Sequence, residues 1–243
     1  MIPTAVSILG IPVHAVTMAD TLALVEQYMS EPRVHQIATV NPEFVMAAQS
    51  DAAFRRVLNT ADLCIPDGIG LLYAARRRGQ TLPERVPGSE LVYALAEQAA
   101  ACGWPLFLLG AALGVAEEAA GIFTQRHPTL RIAGTYAGSP AIEENDAIVR
   151  RVNDSGAALL FVAYGAPNQD KWIERNRTNL TSVRVAVGVG GSLDFVTGRS
   201  VRAPLWVQRM GLEWLHRLYN EPWRWRRMLA LPRFAARAII AGK

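Results

Sequence analysis

With 243 residues, 51% of them hydrophobic and only 19% charged, the chain can bury a sizeable core, which argues against disorder except at the ends. Its formal charge of +4 is unevenly placed: seven basic residues and one acid, Glu221, fall between positions 217 and 243, and the remainder is slightly acidic. The basicity is therefore local and asks for a local partner.

Taken in order, the chain opens on MIPTAVSILGIPVHAV, which has no basic leader and no small-residue cleavage site, so no signal peptide is expected. Short apolar runs at 6–9, 34–40, 63–65, 106–109, 130–133, 158–163 and 183–187 read as strands. Between them, helical patterns occupy 18–29, 43–58, 69–77, 90–101, 115–125, 143–153 and 168–176. The alternation predicts an α/β fold with a mostly parallel sheet covered on both faces; runs such as ALLFVA, apolar without interruption, fit strands buried on both sides. Residues 99–116 carry no charge and mimic a membrane span, but Gly103-Trp104-Pro105 cuts them into a helix end, a turn and a buried strand, so no transmembrane helix is expected. Strand signals stop after about Arg202. The chain divides near residue 197 into a catalytic core, 1–197, and a helical appendage, 198–243.

In an open parallel sheet, ligands bind beyond the carboxyl ends of the strands. There the sequence places Thr39 with NPEF, then PDGIG, GAALG (with Gly110), YGAPNQDKW (with Gly165 and Gln169) and GVGGSLDF (with Gly190 and Gly191). Each has a structural explanation: Asn41-Pro42 suits a helix N-cap and first-turn proline, and Asp67-Gly68 a cap or turn. Five such turns on one rim point to a nucleotide-type ligand, although neither a G-x-G-x-x-G nor a Walker pattern is present. The absence of the dinucleotide fingerprint counts against an NAD-dependent oxidoreductase; a non-catalytic, nucleotide-binding membrane adaptor is a further alternative. No D-x-D occurs, and His14, His35, His127 and His216 lack ligand spacing, so no metal is expected and a diphosphate's charge falls to Arg, Lys and backbone N–H groups. Cys64 and Cys102 read as reduced core thiols.

The last stretch, EPWRWRRMLALPRFAARAII, combines aromatic and aliphatic residues with five arginines. It is too basic and too interrupted to span a bilayer and suits an interfacial helix on an anionic membrane. Packing on the core and binding to single-stranded nucleic acid are the alternatives. Arg217, Arg224 and Arg227 fall at helical spacings that would align them to grip a diphosphate, although Pro222 interrupts the helix.

The motifs TVNPEF, ADLCIPDGIGL, RVPGSEL, FLLGA, YGAPNQDKW, GVGGSLDFVTGRSVRAP and GLEWLHRLYNEPWRWRRM stand in an order and spacing that resembles the WecG/TagA/CpsF glycosyltransferases, over almost the whole chain. The resemblance implies a Rossmann-like, inverting, metal-independent bacterial transferase without cofactor. It implies transfer of a sugar from a UDP-sugar to a saccharide on a polyprenyl diphosphate, in cell-envelope or exopolysaccharide synthesis at the cytoplasmic membrane face, with no nucleic-acid partner. By the same resemblance Asp67 is the general base, Thr39 and Asn41 line the active pocket, Arg85 binds substrate, Gln169 lies near the nucleotide, and Arg217, Arg224 and Arg227 close over the diphosphate. Members differ in the sugar used, so the resemblance leaves the donor open.

Overall fold

The structure is a computed structural model that describes residues 3–204, 206, 207, 210, 213–222 and 225–240, with the backbone alone at 217, 226, 227 and 240. Its centre is a six-stranded, wholly parallel sheet in the order β4-β3-β8-β7-β5-β6. The strands are β3 (His35–Val40), β4 (Leu63–Pro66), β5 (Leu106–Gly110), β6 (Ile132–Tyr136), β7 (Leu159–Ala163) and β8 (Val185–Gly188). Every residue of β3, β4, β5, β7 and β8 is buried; the run is apolar throughout in β5, β7 and β8, whereas β3 buries the polar His35, Gln36 and Thr39. Because all strands run the same way, their carboxyl ends share one edge. The last strand in sequence, β8, lies between β3 and β7, so the chain's direction across the sheet reverses at the β3–β8 junction, where a crevice opens.

The helices are α1 (Met18–Met29), α2 (Pro42–Ser50), α3 (Ala52–Thr60), α4 (Ile69–Arg77), α5 (Gly88–Cys102), α6 (Val115–Arg126), α7 (Asn145–Asp154), α8 (Asn168–Asn176) and α9 (Ser192–Val196). The single helix expected over 43–58 is two, because the Asp51 side chain accepts from the Phe54 amide at 2.9 Å and caps a new start. The uncharged 99–116 stretch resolves as the end of α5, a left-handed cap at Gly103 and β5, and among the described residues no helix is long and apolar enough to cross a membrane. Of the two cysteines only Cys64 is in the core; Cys102 is exposed at the end of α5.

The strand expected at 6–9 does not join this sheet. It forms β1 (Ala5–Ile8), paired antiparallel with β2 (Ile11–His14) through a two-residue turn in which Leu9 and Gly10 both take positive φ. The hairpin docks on the β4 edge, where the His14 ring accepts a hydrogen bond from the Cys64 amide at 2.8 Å through Nδ1 and satisfies an edge-strand donor.

The amino end of β3 and β4 is closed by ion pairs. Asp62 accepts from Arg33 at 2.6 Å, from Arg177 at 2.5 Å and from the Gln36 amide at 2.9 Å. Fully buried His35 stacks on Tyr28 with ring centroids 4.0 Å apart. After α9 come α10 (Glu213–Asn220), α11 (Trp225–Met228) and α12 (Ala230–Ile240); α12 packs on α2 and α4, and its Phe234 is buried in the core. One of the alternatives for the tail, packing on the core, thus describes part of α12.

Candidate active site

At the carboxyl edge of the sheet lies a cavity of about 1330 Å³ whose lining includes Thr39, Asn41, Asp67, Arg85, Gly165, Gln169, Gly190 and Gly191. These residues come from positions spread over the chain and meet because four parallel strands end at one edge. Gly110, expected on the same rim, is buried and does not line the cavity; the following Ala111 and Ala112 do. A Cβ at Gly110 would lie 2.9 Å from the Ala163 carbonyl carbon, so this glycine lets the end of β5 approach β7. Arg224 lies outside the described residues, as do the side chains of Arg217 and Arg227; the backbones of those two are helical, in α10 and α11.

The floor is built across the β3–β8 junction. Thr39 donates its hydroxyl to the Gly188 carbonyl at 3.2 Å, tying the last turn of β3 to the end of β8. Asn41 caps α2: its side-chain oxygen accepts from the Phe44 amide at 3.0 Å, and Pro42 follows in the first turn. Gln169, almost wholly buried, accepts from the Gly190 amide at 2.9 Å and so fixes the turn after β8. That position needs Gly188: a Cβ there would stand 2.5 Å from Gln169 Nε2. Next to Gln169, Asp170 is fully buried, and burial outweighs the opposing hydrogen bonds from Gln169 and its own amide and pushes its pKa up to about 7.

Asp67 is not the cap of α4. That place belongs to Gly68, which makes no side-chain cap hydrogen bond. The Asp67 amide donates to Val40 O at 2.7 Å, extending the β3–β4 ladder by one residue and fixing the backbone that carries the carboxylate. A Cβ built on Gly88, at the start of α5, would lie 3.2 Å from Thr39 Cγ2 and 3.4 Å from Asp67 Oδ2. Asp67 and Thr39 therefore face the same missing side chain, and Gly88 provides the space that brings hydroxyl, carboxylate and helix start together. Sequence reasoning singled out glycines that follow strands and passed over this one; its only signal was its place in RVPGSEL beside Arg85.

Arg85 is paired. Its guanidinium donates to Glu213 Oε2 at 2.8 Å, and Glu213 also lies 3.7 Å from Arg202, which in turn holds Glu90 at 2.5 Å. Nothing in the sequence pattern marks Glu213 as a partner of a residue so far away. The pairing fastens the start of α10 over the cavity, where Trp214 and Leu218 join the lining. Among the described residues no group of three or more His, Cys, Asp or Glu is arranged to hold a metal. The arrangement offers a carboxylate on a polar floor, two guanidiniums in the wall, one of them paired with Glu213, and a roof of C-terminal helices.

The family model described as "Glycosyl transferase WecG/TagA/CpsF family" matches residues 6–243. A protein of Bacillus subtilis (strain 168), named N-acetylglucosaminyldiphosphoundecaprenol N-acetyl-beta-D-mannosaminyltransferase, is 33% identical over 212 residues, covering 87% of this chain and 82% of its own length. Proteins with the same name from Bacillus spizizenii and Staphylococcus aureus (strain MRSA252) are 34% and 30% identical, covering 87% and 94% of this chain and 81% and 90% of their own lengths.

Proposed function

From the premise that the chain belongs to the WecG/TagA/CpsF family and is a glycosyltransferase, we propose that it transfers N-acetylmannosamine from its UDP derivative to N-acetylglucosaminyldiphosphoundecaprenol, with inversion. The two sugars and the lipid follow the names of its relatives, and transfer serves the synthesis of a cell-envelope polymer. The observation that carries the reading is the Asp67 carboxylate, held beside Thr39 on the cavity floor at the carboxyl ends of β3 and β4.

The reaction is a single displacement. The acceptor hydroxyl gives its proton to Asp67, its oxygen forms a bond to the anomeric carbon, and the bond from that carbon to the UDP oxygen breaks, the electron pair leaving with UDP. Thr39 and Asn41 border the reacting centre. Gln169 shapes the Gly190-Gly191 turn, whose backbone would lie against the nucleotide. Charge on the leaving diphosphate is met by Arg85 and by Arg217, Arg224 and Arg227, without a requirement for a divalent ion. An acceptor in the bilayer brings the enzyme to the cytoplasmic membrane surface, where the basic appendage adds attraction to anionic lipid. The full chain is expected to sediment with anionic vesicles and to stay in solution with neutral ones; equal sedimentation with both would remove the electrostatic part of this assignment.

Asp67→Asn is expected to lower turnover roughly 100-fold or more, the scale of a lost general base, while UDP still raises the melting temperature. Turnover within a few-fold of the parent would leave Asp67 a structural residue.

A further inference from the structure

The cavity is larger than the donor needs, and its walls change character along its length. Sites for a single small ligand occupy roughly 300–1,000 Å³; this one holds about 1330 Å³. Thr39, Asn41, Asp67 and Gln169 gather its polar side at the strand ends, Arg85 and Glu213 face it from beside α5 and α10, and Arg77 stands at the far end of α4. Beyond Gly70 the facing walls are α4 and α12, lined by Tyr73 and Ala74 on one side and Phe234, Ala235, Ala238 and Ile239 on the other. The two helices approach closely: a Cβ on Gly70 would sit 3.6 Å from the Phe234 ring. Towards the outside the lining stays apolar, for Tyr73 is 61% and Ile239 48% exposed. Such walls suit a hydrocarbon that enters from outside, and they are continuous with the floor that holds Asp67.

The same face of α4 ends in a charge. Ile69, Tyr73 and Arg77 recur at helical spacing and all line the cavity. Eight residues of helix place Arg77 about 12 Å from Ile69 along the axis, a separation that a hexose and its diphosphate can span. Arg77 is exposed and makes no ion pair among the described residues.

Resting on the function proposed above, we propose that the α4–α12 half of the cavity seats the first isoprene units of the acceptor lipid, with Arg77 meeting the acceptor's own diphosphate. The occupant is a prenyl chain joined to an anion, which is what an apolar trough opening to the outside and edged by a guanidinium can recognise. The enzyme thereby reads the lipid directly, in addition to any contact of its surface with the bilayer.

The test uses the full chain in vesicle-free solution, with UDP release as the readout and two soluble acceptors, the farnesyl and methyl esters of N-acetylglucosaminyl diphosphate. The parent is expected to show a KM for the farnesyl ester at least ~10-fold below that for the methyl ester, the consequence of about 1.4 kcal/mol of added binding. Ala235→Trp, at an exposed position of the lining, is expected to erase that advantage while leaving kcat and the methyl-ester KM unchanged. Ile239→Ser, also exposed, should reduce it. Arg77→Gln should raise KM for both esters. Equal KM values in the parent, or a farnesyl advantage that survives Ala235→Trp, overturn the lipid seat while UDP release upholds the transferase. Loss of a dimer in Ala235→Trp, with the advantage intact, would make this face a contact between copies and also overturn it. Failure of the parent to release UDP with either ester would sink the transferase assignment, and the lipid seat with it.

Discussion

Asp62 and Asp67 stand at the two ends of β4, one immediately before Leu63 and the other immediately after Pro66. Asp62 is enclosed by partners: two guanidiniums and a backbone amide donate to it within 2.9 Å, and its side chain is only 12% exposed. Burial alone would push its pKa up, but the hydrogen bonds from Arg33 and Gln36 and the charges of Arg177 and Arg33 outweigh it and hold the carboxyl below its ordinary value. Asp67 lines the large cavity, beside Gly88. One residue type at two ends of one strand thus stands in two settings. At the amino end a carboxylate holds the sheet to α8 and the β3 entry; at the carboxyl end it borders the cavity in which the proposed acceptor would bind.

The largest effect that separates the two ends is on stability. Asp62→Asn leaves Arg33 and Arg177 without their shared carboxylate and is expected to cost about 2 kcal/mol, the scale of charged hydrogen bonds lost at a partly exposed site. Activity per folded molecule should be unchanged; denaturant titration alongside kcat checks both. Because the folded-state pKa of Asp62 is lowered, its contribution is present above the ordinary carboxylate pKa and fades as pH falls through the lowered value. The variant should therefore lack part of the parent's acid destabilisation. A fall in turnover at unchanged stability would erase the contrast between the two aspartates.

A third aspartate sharpens the contrast by having neither environment. Asp170 lies in the first turn of α8, fully buried, and burial raises its pKa to about 7. The folded chain thus holds a proton that the unfolded chain releases near pH 4, so stability falls as pH rises from about 4 to about 7 and stays lowered above that. Asp170→Asn cannot ionise and should remove that slope, so that the variant's stability relative to the parent rises between about pH 4 and pH 7. Melting temperatures of both chains at acid and neutral pH measure it; parallel curves would show that Asp170 does not carry the slope.

Much of this layout was legible from sequence. The helices at Met18–Met29, Ile69–Arg77 and Asn168–Asn176 fall where the 3.6-residue pattern placed them, since each has one buried stripe and a clear start or stop. The strands β3, β4, β5, β7 and β8 were visible as short apolar runs, and the parallel-sheet rule gathered Thr39, Asn41, Asp67, Gln169 and Gly190 on one rim. Three features were hidden for physical reasons. Asp51 starts α3 through a side-chain hydrogen bond that leaves the apolar period unbroken. The β1–β2 hairpin turns on Leu9 and Gly10, and leucine at positive φ carries no turn signal. Arg85 and Glu213 form an ion pair between distant segments, which no local pattern encodes.

Gly88 carries the smallest effect and the finest test of the contrast. Its φ lies outside the left-handed region, so alanine is conformationally allowed, and α5 would gain the better helix former. The gain in helix propensity and the cost of the tight contact with Thr39 oppose each other, so stability should stay within about 1 kcal/mol of the parent. The new methyl group, however, would press on Thr39 Cγ2 at 3.2 Å and rest against Asp67 Oδ2 at 3.4 Å, narrowing the space beside the carboxylate. A displacement of a few tenths of an ångström at a reacting centre is expected to lower kcat about 10-fold, less than the 100-fold scale of a full 1 Å misplacement. Melting and steady-state assays on Gly88→Ala decide it. If kcat is unchanged, the space between Thr39 and Asp67 is not where the acceptor hydroxyl meets its base. If stability falls with kcat, the glycine serves the packing of α5 and not the reaction.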